Sequence, residues 1–155
     1  MKKYELTEET VTVYGKTLYR IRAVRDFGSV KTGEFGGYIE KEENLSHFGN
    51  AWVYGNAKVY GNAKVYGNAK VYGNAEVFNT RHFFVQGPIG SRDGYVTFYR
   101  TKDDTVEVRC GCFSGSLQKF VDRVEETHGG SRYEKEYKLA AELAKVCIRL
   151  EGESR

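Results

Sequence analysis

A six-residue repeat constrains this chain more than any other feature. From Val53 the sequence reads Val-Tyr-Gly-Asn-Ala-Lys three times and then Val71-Tyr72-Gly73-Asn74-Ala75-Glu76. His47-Phe48-Gly49-Asn50-Ala51-Trp52 is the same hexad with its first position altered, and Val77-Phe78-Asn79-Thr80 starts another before leaving the pattern. An internal repeat of this kind sets the architecture around it. Ala, Lys and Val suit a short strand, with Ala and Val pointing one way and Lys the other. Gly-Asn supplies the corner, because both residues tolerate the left-handed backbone of a sharp turn. Three strands and three corners close a triangular coil, so that Val53 stacks on Val71, Ala51 on Ala69 and Asn50 on Asn68. A helix would place Gly and Asn in every second turn, at a cost of about 1 kcal/mol per Gly relative to Ala.

The hexads resemble those of left-handed β-helix proteins, in which an aliphatic residue is followed four places later by a small one. The chain is also similar to a set of small repeat proteins common in phages and prophages. That likeness is carried by Thr17-Leu18-Tyr19-Arg20-Ile21, by Gly33-Glu34-Phe35-Gly36-Gly37-Tyr38-Ile39-Glu40, by Glu43-Asn44-Leu45-Ser46 and by the Gly-Asn-Ala hexads. It covers residues 1–80 well and residues 89–145 less specifically. The group is mostly unassigned in function, so the resemblance implies fold and genetic context rather than chemistry. The expected fold is mainly β: a short left-handed parallel β-helix over residues 47–80, an N-terminal β-hairpin cap with an irregular first coil over 1–46, and a C-terminal α+β module of a hairpin and two helices over 81–155.

The flanks supply the rest of that expectation. Residues 10–24 alternate around Gly15-Lys16 and read as a hairpin. The apolar positions around Leu18 would close the open end of the repeat stack, which otherwise exposes unpaired strand edges. After the repeats, residues 82–86 read as a strand, residues 87–94 as a loop, and residues 95–110 as a hairpin turning at Lys102-Asp103-Asp104. A helix follows from about Leu117 to Thr127, with Leu117, Phe120, Val121 and Val124 on one face, and His128-Gly129-Gly130 ends it. A second helix starts at Ser131, whose spacing to Glu134 is that of a capping box.

Composition narrows the function classes. The net charge of +3 is too small for a protein that coats nucleic acid, and the repeat lysines point to three sides rather than into one groove. No apolar run is long enough to span a membrane, and the first residues lack a signal-peptide core, so a cytoplasmic protein is expected. Cys110, Cys112 and Cys147 make an odd count, which argues for reduced thiols rather than a disulfide framework. Cys110 and Cys112 lack two further metal ligands nearby.

Three candidates for chemistry remain. Small residues at Gly111-Cys112-Phe113-Ser114-Gly115-Ser116 open a helix, where backbone N–H groups and the helix dipole favour an anion. With Arg92, Tyr95, Tyr99, Arg100 and Arg109, Ser114 and Ser116 form a candidate site for a phosphate-bearing nucleotide: Arg for phosphate, Tyr for base stacking. The second candidate is the repeat surface. Tyr54, Tyr60, Tyr66 and Tyr72 project outward with Lys58, Lys64 and Lys70, and repeated exposed Tyr suits a protein interface, with a trimer as the natural closure. The third is implied by the β-helix resemblance alone: an acyltransferase with a histidine, His47 or His82, between subunits. Fewer than two regular coils leave little wall for a long acyl-thioester cofactor, and no loop interrupts the repeats to build an acceptor pocket. No Ser-His-Asp pattern, paired-carboxylate motif or phosphate-binding loop appears, and neither a cofactor nor a metal is expected. The functional reading is a non-catalytic oligomeric binding protein in phage counter-defence. It would sequester a nucleotide immune signal or inhibit a host defence protein, acting by stoichiometry. The alternatives are the acyltransferase and a purely structural oligomerisation scaffold.

Overall fold

The computed structural model describes residues 2–151, which divide into two compact units, residues 2–80 and 81–151. In the first unit, β1 (Tyr4–Val13) and β2 (Lys16–Ala23) form an antiparallel hairpin with Val11 opposite Leu18. β3 (Phe35–Ile39) continues the sheet antiparallel to β2. On its other side β3 pairs in parallel with a repeat strand, β5 (Lys58–Val59), and β5 pairs in parallel with β7 (Glu76–Val77). β4 (Trp52–Val53) and β6 (Lys70–Val71) form a separate two-stranded parallel pair. A third side is marked by the parallel bridge Leu45 to Val65.

The hexads dictate this stacking. Trp52 lies opposite Lys70, and Lys58 opposite Glu76, so a hexad pairs with the third hexad after it. The Ala residues at 51, 57, 63, 69 and 75 and the Val residues at 53, 59, 65, 71 and 77 are all buried. Their small apolar side chains fill the interior, where close packing leaves no room for larger ones. At Gly61, φ is +62° and a Cβ would sit 2.7 Å from the Phe78 carbonyl oxygen of the next coil, so glycine is required twice over.

The expected fold class is overturned. The structure is not a left-handed parallel β-helix with a separate lid. It has a mixed five-stranded sheet ordered β1-β2-β3-β5-β7, in which the long strands β1, β2 and β3 are antiparallel. Parallel pairing between strands is confined to ladders of two residues each. The physical reason lies in β3, which uses one edge for the hairpin and the other for a repeat strand, merging the two into one sheet. The corners also consume most of each hexad, leaving Lys-Val or its equivalent as the paired portion. The mainly β character stands.

The lowest carbonyls of the stack are met by groups from outside the repeats. Nζ of the buried Lys3 donates to the Ala51 oxygen at 2.7 Å and the Gly49 oxygen at 3.4 Å. One hexad pair further on, buried Asn44 does the same work with its amide, donating to the Ala63 oxygen at 2.9 Å and the Gly61 oxygen at 3.2 Å. On the remaining side the Tyr38 N–H donates to Ala57 at 2.9 Å and Arg20 reaches the Gly55 oxygen at 3.3 Å. Buried carbonyls left without donors are costly, so these three terminations fix where the stack begins.

In the second unit, β8 (Phe83–Ile89), β9 (Gly94–Arg100), β10 (Val106–Cys110) and β11 (Phe113–Ser116) form an antiparallel sheet ordered β11-β10-β9-β8. Helices α1 (Leu117–His128) and α2 (Arg132–Cys147) bury their apolar faces with Val96, Phe98 and Val108 of the sheet. The Ser116 hydroxyl caps α1 by accepting from the Lys119 N–H. At α2 the expected capping box does not form: Glu134 accepts from the Gly130 N–H rather than that of Ser131, and the Ser131 hydroxyl donates to the His128 oxygen.

Candidate functional site

The residues of the expected anion site scatter over the second unit. Residues 113–116 are not a loop opening a helix but the strand β11, and the Ser116 hydroxyl is committed to the α1 cap. Arg100 is buried; its guanidinium pairs with Asp104 at 2.9 Å and Glu151 at 3.5 Å. Tyr99 is buried, whereas Tyr95 is exposed on the same strand. Arg92 is exposed in the β8–β9 turn. Arg109 lies opposite Thr97 on one side and Ser114 on the other, so Arg109 and Ser114 are cross-strand neighbours. The structure thus brings Arg109 and Ser114 together, holds Arg100 and Ser116 in internal contacts, and leaves Arg92 and Tyr95 on the surface.

Both histidines of the acyltransferase reading are occupied structurally. His47 stacks on the Tyr4 ring with centroids 4.1 Å apart. Its Nδ1 accepts from the Lys3 backbone N–H at 3.0 Å, which makes the tautomer Nε2–H, and Nε2 then donates to Glu42 at 2.7 Å. That hydrogen bond holds the Glu42 carboxyl below the usual carboxylate range. A ring with both nitrogens engaged has no lone pair to take a substrate proton. His82 is buried, and burial together with the Arg100 guanidinium pushes it down to about 4, against a smaller opposing pull from Asp104.

The repeat aromatics sort into three columns, each made of two side chains one coil apart. Tyr54 stacks on Tyr72, with centroids 4.0 Å apart and ring planes 5° from parallel. Tyr60 stacks on Phe78 at 5.2 Å and is only 3% exposed, because Leu18, Val11 and Val13 of the hairpin and Tyr38 cover this column. Its hydroxyl donates to Glu76 at 3.1 Å. The third column is different: Phe48 is 83% exposed and Tyr66 57% exposed. Lys64, beside Tyr66 on the same side of the coil, is exposed as well. Of the four tyrosines expected at an interface, Tyr66 is therefore the one that faces solvent, and Phe48 joins it. The sequence does mark Phe48, since it occupies the Tyr position of its hexad; attention to residue type rather than position passes over it.

Isolated apolar side chains on a surface are ordinary, but two aromatics that share one equivalent position of a rigid repeat form a fixed patch. No helix among the described residues is long and apolar enough to cross a membrane, and no cluster of three or more potential metal ligands occurs among them. No protein-family model matches the chain, and no curated protein is similar to it.

Proposed function

We propose that the protein is a non-catalytic binding protein that acts by stoichiometry, and that its target is a protein rather than a nucleotide. The observation that carries this reading is the third aromatic column. Phe48 and Tyr66 offer flat, rigid contact area at low entropic cost, flanked by the Lys64 cation, on a scaffold where Tyr60 is buried under the hairpin and Tyr54 and Tyr72 are half-buried against each other. The resemblance of the hexads and of the segments before them to phage and prophage repeat proteins supports a role in counter-defence. The target is then a host defence protein in the bacterial cytoplasm, held inactive by mass action.

The test uses tagged wild-type protein and the double variant Phe48→Ser/Tyr66→Ser, expressed at equal levels in defence-active cells. The expected result is one host protein enriched with the wild type and reduced about tenfold or more with the variant. Its direct binding is then reproduced with purified components. Equal recovery by both proteins, or a nucleotide as the only specific bound species, would overturn the reading.

A further inference from the structure

One face of α1 carries charges in an order that complements itself. Lys119, Asp122, Arg123 and Glu126 are spaced so that all four lie on a single helical face, and all four are exposed. Their signs run plus, minus, plus, minus; in reverse they run minus, plus, minus, plus. Two copies of the helix laid antiparallel therefore set Lys119 against Glu126 and Asp122 against Arg123, twice over. Within one chain, none of the four enters an ion pair among the described residues: Asp122 accepts from the Gln118 amide at 2.9 Å, and the Arg123 guanidinium lies over the Phe113 ring at 5.6 Å. Like charges stand four residues apart, Lys119 with Arg123 and Asp122 with Glu126, and opposite charges three apart, Lys119 with Asp122 and Arg123 with Glu126, so within one helix the pattern is close to balanced.

This charged face lines an open groove of about 400 Å³ whose other wall is Cys112, Phe113 and Ser114. Phe113 and Ser114 belong to β11, an edge of the four-stranded sheet. The two edges of that sheet are treated differently. β8 is guarded: Pro88 contributes no N–H, and the register with β9 shifts between Gln86 and Ile89. β11 keeps four residues in unbroken register with β10 and carries neither proline nor charge. Phe113 and Ser114 of this edge line the groove beside the self-complementary helix.

We propose that β11 and α1 form the two-fold interface of a homodimer. β11 pairs antiparallel with β11 of a second copy, joining two four-stranded sheets into one of eight, and the two α1 helices run antiparallel across the same axis with their charges interleaved. A two-fold is what a self-complementary patch demands, because the same surface must serve both partners. Ser114 and Gly115 bring no bulk to the strand pair. This seam lies in the second unit and is independent of the Phe48–Tyr66 column.

The test measures the mass of the full chain by light scattering and sedimentation equilibrium over a range of concentrations. The wild type is expected to be a dimer at about 100 µM, a modest affinity in keeping with a small interface. Raising the salt from about 0.05 M to 1 M is expected to weaken it severalfold. Lys119→Glu/Arg123→Glu makes the face wholly acidic and should weaken dimerisation about tenfold or more. Adding Asp122→Lys/Glu126→Lys to that variant reverses every sign, restores self-complementarity and should restore the dimer. The acidic double variant mixed with Asp122→Lys/Glu126→Lys should form a heterodimer while each alone is monomeric. A monomeric or trimeric wild type overturns the proposal. So do variants that dimerise like the wild type, or a four-fold reversal that melts like the wild type yet stays monomeric.

Discussion

The first unit ends its sheet with side chains borrowed from elsewhere; the second ends its sheet with strand design. In the hexad stack, each coil presents Gly and Ala carbonyls to whatever lies before it, and Lys3, Asn44, Arg20 and the Tyr38 N–H meet them. In the antiparallel module the sheet is protected on one face by two helices and at the β8 edge by a proline and a register break. The lesson is that a repeat needs polar specialists where it begins, whereas a meander can guard an edge within its own strand, as β8 does and β11 does not. Damage should therefore be most severe at a few polar positions in the first unit, and more evenly spread over apolar ones in the second.

The sharpest way to break that contrast is Asn44→Ala. Asn44 donates to two repeat carbonyls and accepts from the Glu40 and Lys41 N–H groups. Losing these bonds in a buried position should cost about 4 kcal/mol, seen as a lower urea midpoint for the first unit. A lesser loss would mean that water takes over the cap.

Proton linkage separates the units by pH. In the second, His82 titrates at about 4 when folded and near 6.5 when unfolded, so unfolding takes up a proton between those values. Stability is full above pH 6.5 and falls as the pH drops through the window, by about 3 kcal/mol at its lower end. In His82→Gln that acid limb should flatten in a melting series. In the first unit, burial and the neighbouring Arg25 bring Lys3 down to about 8 from 10.5. Folding there releases a proton between the two values, so stability should rise from pH 8 upward, by about 2 kcal/mol, until Tyr4 intervenes. Burial raises the Tyr4 phenol well above its ordinary value of 10, with Glu42 and Glu43 adding to the effect, so stability is lost again above that pH. Lys3→Met should remove the rising limb and leave the falling one.

A finer comparison sets two repeat glycines side by side. Gly61 and Gly73 share a positive φ, +62° and +61°, but a Cβ at Gly61 would press on the Phe78 oxygen while one at Gly73 meets open space. Gly73→Ala should cost about 1 kcal/mol for backbone strain alone, and Gly61→Ala about 2 kcal/mol or more. Smallest of all is Ser116→Ala, which removes the α1 cap for about 1 kcal/mol or less; equal melting with wild type would show that water caps α1 as well.

Much of this was readable from residue order. Small apolar residues every six positions marked the buried interior, and the β9–β10 hairpin and α1 followed from alternation and helical spacing. Sheet composition was not readable, because hexad periodicity says nothing about the partner on the far edge of β3. Lys3 and Asn44 lie where no period singles them out, and their role exists only once carbonyls distant in sequence arrive, 46 and 48 residues on for Lys3 and 17 and 19 for Asn44. Tyr54, Tyr60 and Tyr66 have identical local sequence, yet one is buried and one is largely exposed, since the hairpin packs on a single column. The anion site failed to assemble for a related reason: Arg100 and Ser116 found partners within their own unit.

The terminations at Gly49/Ala51, Gly55/Ala57 and Gly61/Ala63 recognise backbone oxygens, not side chains. Any hexad arriving at the right place would satisfy them. The stack is therefore a screw thread whose length is free but whose phase is fixed. Insertion of three hexads leaves both the starting grip and the side from which the chain departs unchanged, whereas insertion of one or two turns the exit onto another side. Tandem copies in a gene slip easily, so variants of this protein should be tolerated in steps of eighteen residues and selected against in steps of six.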